Sequence, residues 1–234
     1  MLAGGVVLIT GTSRGLGKAL AERYLQSGVA VYGCSRHESA IVHPGYTHFI
    51  VDVGDELDVV SMFKKISASK TPVNLLINNA GVTQASLGIL TRAESAQDIL
   101  RTNLLGAFLV SREMLKVMQR QRYGRIVNFS SINVPLGSVG SALYNASKAG
   151  VEAMAMALTR ECGNADITIN TLGLSLVAGS GMLEALGPKA VAGKQDALLK
   201  PKILEVEEIM HAIDFFSDPL ARNISCQTVY FGGV

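Results

Sequence analysis

Short apolar runs alternate with amphipathic stretches along almost the whole chain. Runs of four to six mostly apolar, often β-branched residues predict buried parallel strands over Val6–Ile9, Val29–Cys34, Thr47–Val51, Leu75–Asn78, Ile126–Ser130, Ile167–Asn170 and Gln227–Phe231. Helical periodicity predicts helices after Gly17, over Leu57–Ser67, from about Ile99 to Gln121, over Tyr144–Cys162 and over Glu205–Ser217. This alternation is typical of an α/β fold, a doubly wound parallel sheet of about seven strands with helices on both faces.

A glycine-rich turn follows the first predicted strand directly and runs into a helical pattern. It reads Thr10-Gly11-Thr-Ser-Arg-Gly15-Leu-Gly17. A strand, glycine turn and helix in this order place a phosphate at the helix N-terminus. Gly11 allows the tight turn, Gly15 lets the backbone approach a pyrophosphate, and Gly17 lets the helix pack against the strand. The Gly-x-x-x-Gly-x-Gly spacing differs from the usual dinucleotide fingerprint, and a plain glycine-rich turn is the alternative.

Tyr144 and Lys148 stand four residues apart at the start of a helical pattern, so both fall on one helix face. A cation this close favours the phenolate and lowers the Tyr pKa, which suits proton transfer to or from an oxygen substrate. Ser131, at the end of an apolar run, would hold that oxygen. Ser130 is the rival, but adjacent strand residues face opposite sides and only one should enter the site. Taken alone, the Tyr-Lys pair is also compatible with a solvated helix face.

Taken together with Asn78-Asn79-Ala80-Gly81 and Asn103, these motifs resemble the classical short-chain dehydrogenase/reductase family in order and spacing. The resemblance runs from about Val6 to Asn170 and is nearest to 3-oxoacyl-carrier-protein reductases and related ketoreductases. It implies one Rossmann-type domain over residues 1–234. It also implies hydride transfer between nicotinamide and a carbonyl or secondary alcohol, with a 3-oxoacyl thioester or similar ketone as substrate.

The resemblance also implies a role for each predicted catalytic residue. Tyr144 would donate the proton, and Ser131 would hydrogen-bond the carbonyl oxygen. Lys148 would hold the nicotinamide ribose, and Asn103 would support a water chain that returns protons to Lys148. The catalytic set is Asn103, Ser131, Tyr144 and Lys148. A non-catalytic dinucleotide sensor or scaffold and a sugar or small-alcohol dehydrogenase are the alternatives, because a fold alone does not define a function.

The charges near the second strand predict NADP(H). Dinucleotide folds that bind NAD place an acid about twenty residues after the glycines, but here Ser35 and Arg36 occupy that region. Arg14, in the glycine turn, would reach the same point. Two arginines suit a 2′-phosphate; ordinary surface charges are the alternative.

Further cofactor contacts follow from the resemblance. Asp52 would contact the adenine amino group and Val53 would pack beside the ring. Asn79 would mainly satisfy backbone groups between central strands, and Ala80 and Gly81 would leave room for the cofactor. The predicted cofactor-binding set is Gly11, Ser13, Arg14, Gly15, Leu16, Gly17, Ser35, Arg36, Asp52, Val53, Asn79, Ala80, Gly81, Tyr144, Lys148 and Val177, and no metal site is predicted.

The segment after Asn170 departs from the family. Where most relatives carry Pro-Gly and then a Thr that contacts the nicotinamide carboxamide, this chain has Leu174-Ser175 and Gly179, unless Ser180 takes the place of the Thr. The backbone of Val177 would still be available to the carboxamide. We predict that residues 176–202 form a lid over the substrate; a surface loop without that role is the alternative.

Composition and charge limit the partners. A net charge of +2 is too small to indicate binding to nucleic acid or a membrane surface, and three cysteines without metal spacing favour a reduced, cytoplasmic protein. Cations cluster after the long helix at Lys116, Arg120, Arg122 and Arg125, where they suit either the helix dipole or an acidic carrier protein. The resemblance and an apolar C-terminus predict a homo-oligomer, a tetramer or dimer.

Overall fold

In a computed structural model that describes residues 5–84, 86–181, 183 and 186–234, seven strands form one parallel sheet. The strands are β1 (Val6–Thr10), β2 (Ala30–Ser35), β3 (Tyr46–Ile50), β4 (Val73–Asn78), β5 (Tyr123–Ser131), β6 (Asp166–Leu174) and β7 (Thr228–Tyr230). Their order is β3-β2-β1-β4-β5-β6-β7. The chain therefore leaves β1 towards one edge and returns beside it at β4, which creates a switch point where ligands of such sheets bind.

Helices cover both faces of the sheet. They are α1 (Gly15–Gln26), α2 (Glu56–Ser69), α3 (Ala93–Leu100), α4 (Gly106–Gln121), α5 (Asn133–Leu136), α6 (Ala142–Glu161), α7 (Pro188–Asp196) and α8 (Val206–Ser217). One core layer packs α2, α4 and α6 against the sheet, and the other packs α1 and α8. The predicted doubly wound α/β fold is confirmed. Among the described residues, none of the helices combines the length and apolarity that crossing a bilayer requires.

The long helix predicted from Ile99 to Gln121 is interrupted. A π-helical turn, Arg101–Leu105, joins α3 to α4. The turn inserts an extra residue into the helical repeat, a feature common at functional sites. The sequence pattern did not show this break because the apolar residues of the helical pattern continue through it, at Ile99, Leu104 and Phe108.

Arg125 does not belong to the predicted surface cluster of cations. It lies within β5, its side chain is fully buried, and its Nη1 donates to the backbone oxygens of Gly124 and Asp166. Its guanidinium also pairs with the Asp166 carboxylate at 2.9 Å and lies 4.5 Å from the centroid of the Tyr123 ring. The strand begins earlier than the apolar run indicated, which carries Arg125 inside. Arg120 and Arg122 remain exposed.

The segment predicted as a lid contains α7 and is tied to the body of the protein at its ends. Val177 forms a parallel bridge with Leu204, and the Lys200 N–H donates to Gly232 O at 2.7 Å. Three of its residues, Met182, Glu184 and Ala185, lie outside the described residues. Its role as a lid stays a prediction.

Candidate active site

The predicted site residues gather at the carboxyl ends of the central strands. Thr10 is the last residue of β1, Asn78 of β4 and Ser131 of β5. These three strands are parallel neighbours, so their last residues lie at the same edge of the sheet. The glycine turn follows β1 at the same edge. The sheet topology thus brings together motifs that lie more than one hundred residues apart in the sequence, at the switch point.

The glycine turn leaves an open helix N-terminus. Gly11 and Gly15 adopt φ values of +77° and +58°, which favour glycine. The N-cap residue of α1, Arg14, makes no side-chain capping bond, and the first turn contains no acidic residue. By contrast, Asp55 caps α2 by accepting two backbone N–H groups. The free N–H groups at the start of α1 are therefore available to an anion such as a pyrophosphate.

Asn79 joins β1 to β4 beside the glycine turn. Its Nδ2 donates to Thr10 O at 2.7 Å and to Gly11 O at 3.2 Å. In return, Thr10 Oγ1 accepts the N–H groups of Asn79 and Ala80. This is the structural role predicted for Asn79. A Cβ added at Gly11 would lie 2.9 Å from Asn79 Nδ2, so this close approach requires glycine there.

Polar side chains surround the predicted adenosine end. Ser35 Oγ donates to His37 O at 2.6 Å and contacts His48 Nε2. Arg14 and Arg36 are exposed, and neither forms a salt bridge with a described residue. Their guanidinium groups are therefore free to bind an anion at this end of the site.

Asp52 and Val53 follow β3 but are already engaged within the protein. Asp52 pairs with Arg101 at 2.7 Å and accepts the Gly54 N–H at 2.9 Å. Val53 is buried, and a Cβ added at Gly106 would lie 2.7 Å from its Cγ2. The adenine contacts of both residues stay predictions.

Tyr144, Lys148 and Ser131 converge, as the sequence predicted, but the electrostatics differ from expectation. Burial raises the pKa of Tyr144, and the Ser131 hydroxyl works in the opposite direction. The expected lowering by Lys148 is wrong for this structure. The Lys148 Nζ lies 5.9 Å from the centroid of the Tyr144 ring and donates to Phe129 O at 2.8 Å, and its own pKa is lowered to about 8 by burial. Loss of water on burial is the largest cause of the shift in both pKa values.

Ser130 and Ser131 face opposite sides, as predicted. Ser130 Oγ donates to the carboxylate of Glu152, which also accepts from the Tyr230 hydroxyl at 2.9 Å. Ser131 Oγ accepts the Asn133 N–H at 3.2 Å. Ser131 is therefore the serine on the Tyr144 side.

Asn103 occupies the π-helical turn and contacts the loop after β4. Its Oδ1 accepts the Val82 N–H at 2.8 Å, and its Nδ2 donates to Val82 O at 2.9 Å and to Ser147 Oγ at 3.0 Å. A Cβ added at Gly81 would lie 3.3 Å from Asn103 Oδ1 and 3.6 Å from Lys148 Nζ. Asn103, Gly81 and Lys148 therefore adjoin one another, although the predicted water chain stays a prediction.

The loop after β6 closes the site from the other side. The backbone groups of Leu176 and Ala178 pair with Leu204, whereas the Val177 N–H has no backbone partner among the described residues. A Cβ added at Gly15 would lie 2.5 Å from Ser180 O, so this loop reaches the glycine turn. The Val177 N–H, at the position predicted to meet the nicotinamide carboxamide, therefore has no backbone acceptor within the described part of the chain.

A family model described as short chain dehydrogenase matches residues 5–190. The chain belongs to the short-chain dehydrogenase family. It is 30% identical to the 3-oxoacyl-[acyl-carrier-protein] reductase FabG of Vibrio cholerae, over 99% of this chain and 97% of that protein. It is also 30% identical to FabG of Escherichia coli, over 98% and 96% of the two chains. The structure of a putative gluconate dehydrogenase from Agrobacterium tumefaciens matches with a TM-score of 0.88 and 25% identity, covering 99% of this chain and 96% of that one.

The predicted family is thereby confirmed. The chain is an oxidoreductase that uses a nicotinamide cofactor and acts on CH–OH or C=O groups. The open N-terminus of α1 and the positive φ angles of Gly11 and Gly15 fit such a cofactor, as does the Val177 N–H, which has no backbone partner among the described residues.

Gln84 is a residue of this short-chain dehydrogenase that the sequence analysis missed. Its side chain is only 7% exposed, and its Oε1 accepts the N–H groups of Leu143 and Tyr144 at 2.8 and 3.2 Å. Its Nε2 donates to Thr91 Oγ1 at 2.8 Å. Ser141, the N-cap residue of α6, makes no side-chain capping bond. A glutamine from a distant loop therefore caps the helix that carries Tyr144, a contact that no local sequence signal predicts.

Asn133 and Lys194 form a second feature that the sequence analysis missed. Asn133 follows Ser131 by two residues, and its Oδ1 accepts from Lys194 Nζ at 2.8 Å. Lys194 lies on α7, so the predicted lid contacts the turn that holds Ser131. Nothing in the spacing of these residues indicates that they meet.

Proposed function

We propose that the chain is an NADP(H)-dependent ketoreductase that reduces a 3-oxoacyl thioester or similar ketone, acting as one domain. The observation that carries this proposal is the convergence of Ser131, Tyr144 and Lys148 beside an open helix N-terminus at the switch point. Such a set fits proton transfer next to a bound dinucleotide.

The nicotinamide supplies a hydride to the carbonyl carbon when it is bound. Ser131 Oγ donates a hydrogen bond to the carbonyl oxygen and fixes its position. The Tyr144 O–H bond breaks as its proton passes to that oxygen, and the product is a secondary alcohol. Positioned proton transfer of this kind contributes about 10²–10⁴-fold to the rate.

Lys148 restores the proton to Tyr144. Its burial lowers the ammonium pKa to about 8, so the group gives up a proton more readily than an exposed lysine. The Phe129 carbonyl holds the ammonium in place, and Asn103 and Val82 shape the adjoining loop. In the oxidative direction the same groups carry the proton away from the alcohol.

The preference for NADP(H) rests on Arg14 and Arg36. Both side chains are exposed without a salt bridge to a described residue. Ser35 stands at the end of β2, where an acid would repel a 2′-phosphate. A phosphate between two guanidinium groups gains charge-assisted hydrogen bonds that a ribose hydroxyl does not make.

The likeness to FabG favours a 3-oxoacyl thioester, and the likeness to the putative gluconate dehydrogenase favours a hydroxy acid or sugar acid as a second candidate. For the first candidate, an acidic carrier would dock on the exposed Arg120 and Arg122. Changing Arg122 to Glu would then raise KM for a carrier-bound substrate only. An equal effect on a free ketone would exclude docking at this patch.

A homotetramer or dimer is part of the proposal. An apolar groove lies between the π-helical turn and α6 and is lined mainly by Leu100, Leu104, Leu105, Phe108 and Met154. An apolar surface of this kind is stabilised when another subunit covers it. Light scattering at micromolar concentration tests this, and a monomer would contradict it.

The decisive experiment measures NADPH oxidation with a panel of ketones for the wild type and for Tyr144→Phe. We expect turnover by the wild type and a loss of about 10²–10⁴-fold in the variant. Tyr230→Phe is the matched control, because the Tyr230 hydroxyl donates a hydrogen bond to Glu152 and not to Ser131. Cofactor binding without any turnover across the panel would favour the sensor or scaffold alternative.

A further inference from the structure

Lys194 brings a positive charge to the turn that carries Ser131. Its Nζ donates to Asn133 Oδ1 at 2.8 Å, and the Asn133 N–H donates to Ser131 Oγ at 3.2 Å. One residue therefore links the lysine of the predicted lid to the serine proposed to hold the carbonyl oxygen. The positive charge of Lys194 is thus held by the turn that begins directly after Ser131.

No described carboxylate balances the charge of Lys194. None lies within 4.0 Å of its Nζ among the described residues. The side chain is only partly exposed, and burial lowers its pKa. A partly buried ammonium that faces a neutral amide oxygen is less well stabilised than one that faces an anion. A bound anion would therefore complete this site.

Asn133 provides a second donor at the same place. Lysine only donates, so its contact identifies the facing atom of Asn133 as Oδ1, and Ser138 Oγ donates to that oxygen as well at 3.0 Å. Asn133 Nδ2 has no acceptor among the described residues. An ammonium and an amide N–H on adjoining side chains match the two oxygens of a carboxylate.

We infer that Lys194 and Asn133 bind a carboxylate of the substrate, so that the substrate is a short oxo acid or the matching hydroxy acid. This inference rests on the proposed reductase function and, between its two substrate candidates, favours the acid over the thioester. In a carrier-bound thioester, sulfur replaces one oxygen of this carboxylate, so the group is neutral. A thioester would leave the Lys194 charge unmatched, whereas a free acid neutralises it.

Kinetics with an acid and its ester test the inference. Acetoacetate and methyl acetoacetate share the reacting ketone and differ in the charge of the carboxyl group. With NADPH as cofactor, we expect Lys194→Met to lower kcat/KM for acetoacetate about 10- to 100-fold, as for a lost charged hydrogen bond. The kcat/KM for methyl acetoacetate should change by no more than about twofold. Lys194→Arg should keep most of the activity, and Lys200→Met, which removes an exposed lysine nearby, should match the wild type. Equal effects on the two substrates, or none, would overturn the inference.

A binding measurement separates the site from the chemistry. Succinate should raise the melting temperature of the NADP-saturated wild type and of Lys200→Met, but not of Lys194→Met, because a ligand that binds only the native state stabilises it. Succinamide, which carries no charge, is the control. If succinate fails to stabilise the wild type, the carboxylate site is wrong even where the ester is reduced. If succinate acts through Lys194 but no ketone is reduced, the reductase function fails and the site stands.

Discussion

Gln84 precedes Tyr144 by 60 residues, yet its side-chain oxygen accepts the Tyr144 backbone N–H at 3.2 Å. The same oxygen accepts the Leu143 N–H, and the amide nitrogen anchors on the loop through Ser86 O and Thr91 Oγ1. The first turn of α6 is thus held by the loop that follows the cofactor motif after β4. The position of the predicted proton donor depends on this long-range cap.

Replacing Gln84 with Leu should therefore lower both stability and activity. Loss of a helix cap costs about 0.5–2 kcal/mol in the free energy of unfolding, and the shifted phenol should lower kcat more than it raises KM. Urea unfolding and steady-state kinetics measure the two effects. Gln26→Leu, on an exposed side chain at the end of α1, is the control. A variant that loses stability but keeps kcat and its pH profile would show that Gln84 does not position Tyr144.

Lys148 should make the stability of the cofactor-free protein depend on pH. Burial lowers its pKa from 10.5 to about 8 in the folded state, so the unfolded chain binds more protons between these two values. Stability contributed by this group therefore rises as pH increases from about 8 to 10.5. Urea unfolding at pH 7, 9 and 10.5, compared with Lys148→Met, measures it. A difference between the two proteins that stays constant with pH would contradict the assigned burial.

Cofactor preference should reside in the two exposed arginines. We expect Arg36→Gln and Arg14→Gln each to weaken NADPH binding about 10-fold or more, the value of a charged hydrogen bond, and to leave NADH binding almost unchanged. Fluorescence titration of both cofactors checks this. Arg160→Gln, an exposed arginine on α6, is the control. Comparable efficiency of the wild type with NADH and NADPH would remove the proposed NADP(H) preference.

Gly15 and Gly28 form a matched pair for testing the loop after β6. Both have positive φ, +58° and +79°, so alanine should strain either backbone by about 1 kcal/mol or more. An added Cβ would meet Ser180 O at 2.5 Å at Gly15 but nothing within 4 Å at Gly28. Gly15→Ala should therefore lower the melting temperature further and abolish NADPH binding, whereas Gly28→Ala should still bind. Equal behaviour of the two variants would show that Ser180 does not contact the glycine turn.

The sheet and the position of the site could be predicted because they depend on short-range patterns. Apolar runs mark the strands, and period-two alternation separates Ser130 from Ser131. The turn at Gly11 and Gly15 could be predicted because glycine favours the positive φ that such a turn requires. Because ligands of open parallel sheets bind beyond the carboxyl ends of the strands, Thr10 and Ser131 could be expected at one edge of the sheet.

The remaining features depend on contacts between distant residues. Gln84 caps a helix whose own N-cap residue, Ser141, looks sufficient in the sequence. The contact between Lys194 and Asn133 exists only because α7 folds back over the turn after β5. The pKa of Tyr144 could not be deduced from the spacing to Lys148, because spacing reports the neighbouring charge but not the loss of water on burial.

The π-helical turn at Arg101–Leu105 sets the direction in which the Asn103 side chain points. Each residue of an ordinary helix advances the side-chain direction by about 100°. If one residue were removed from this turn, we expect α3 and α4 to form one regular, straighter α-helix that still packs on the sheet. It would also swing the Asn103 amide off Val82 and Ser147. The protein would then keep its architecture and lose the contacts of Asn103, the residue proposed to support proton return to Lys148. We therefore expect a deletion of one residue here to separate folding from the proposed catalysis.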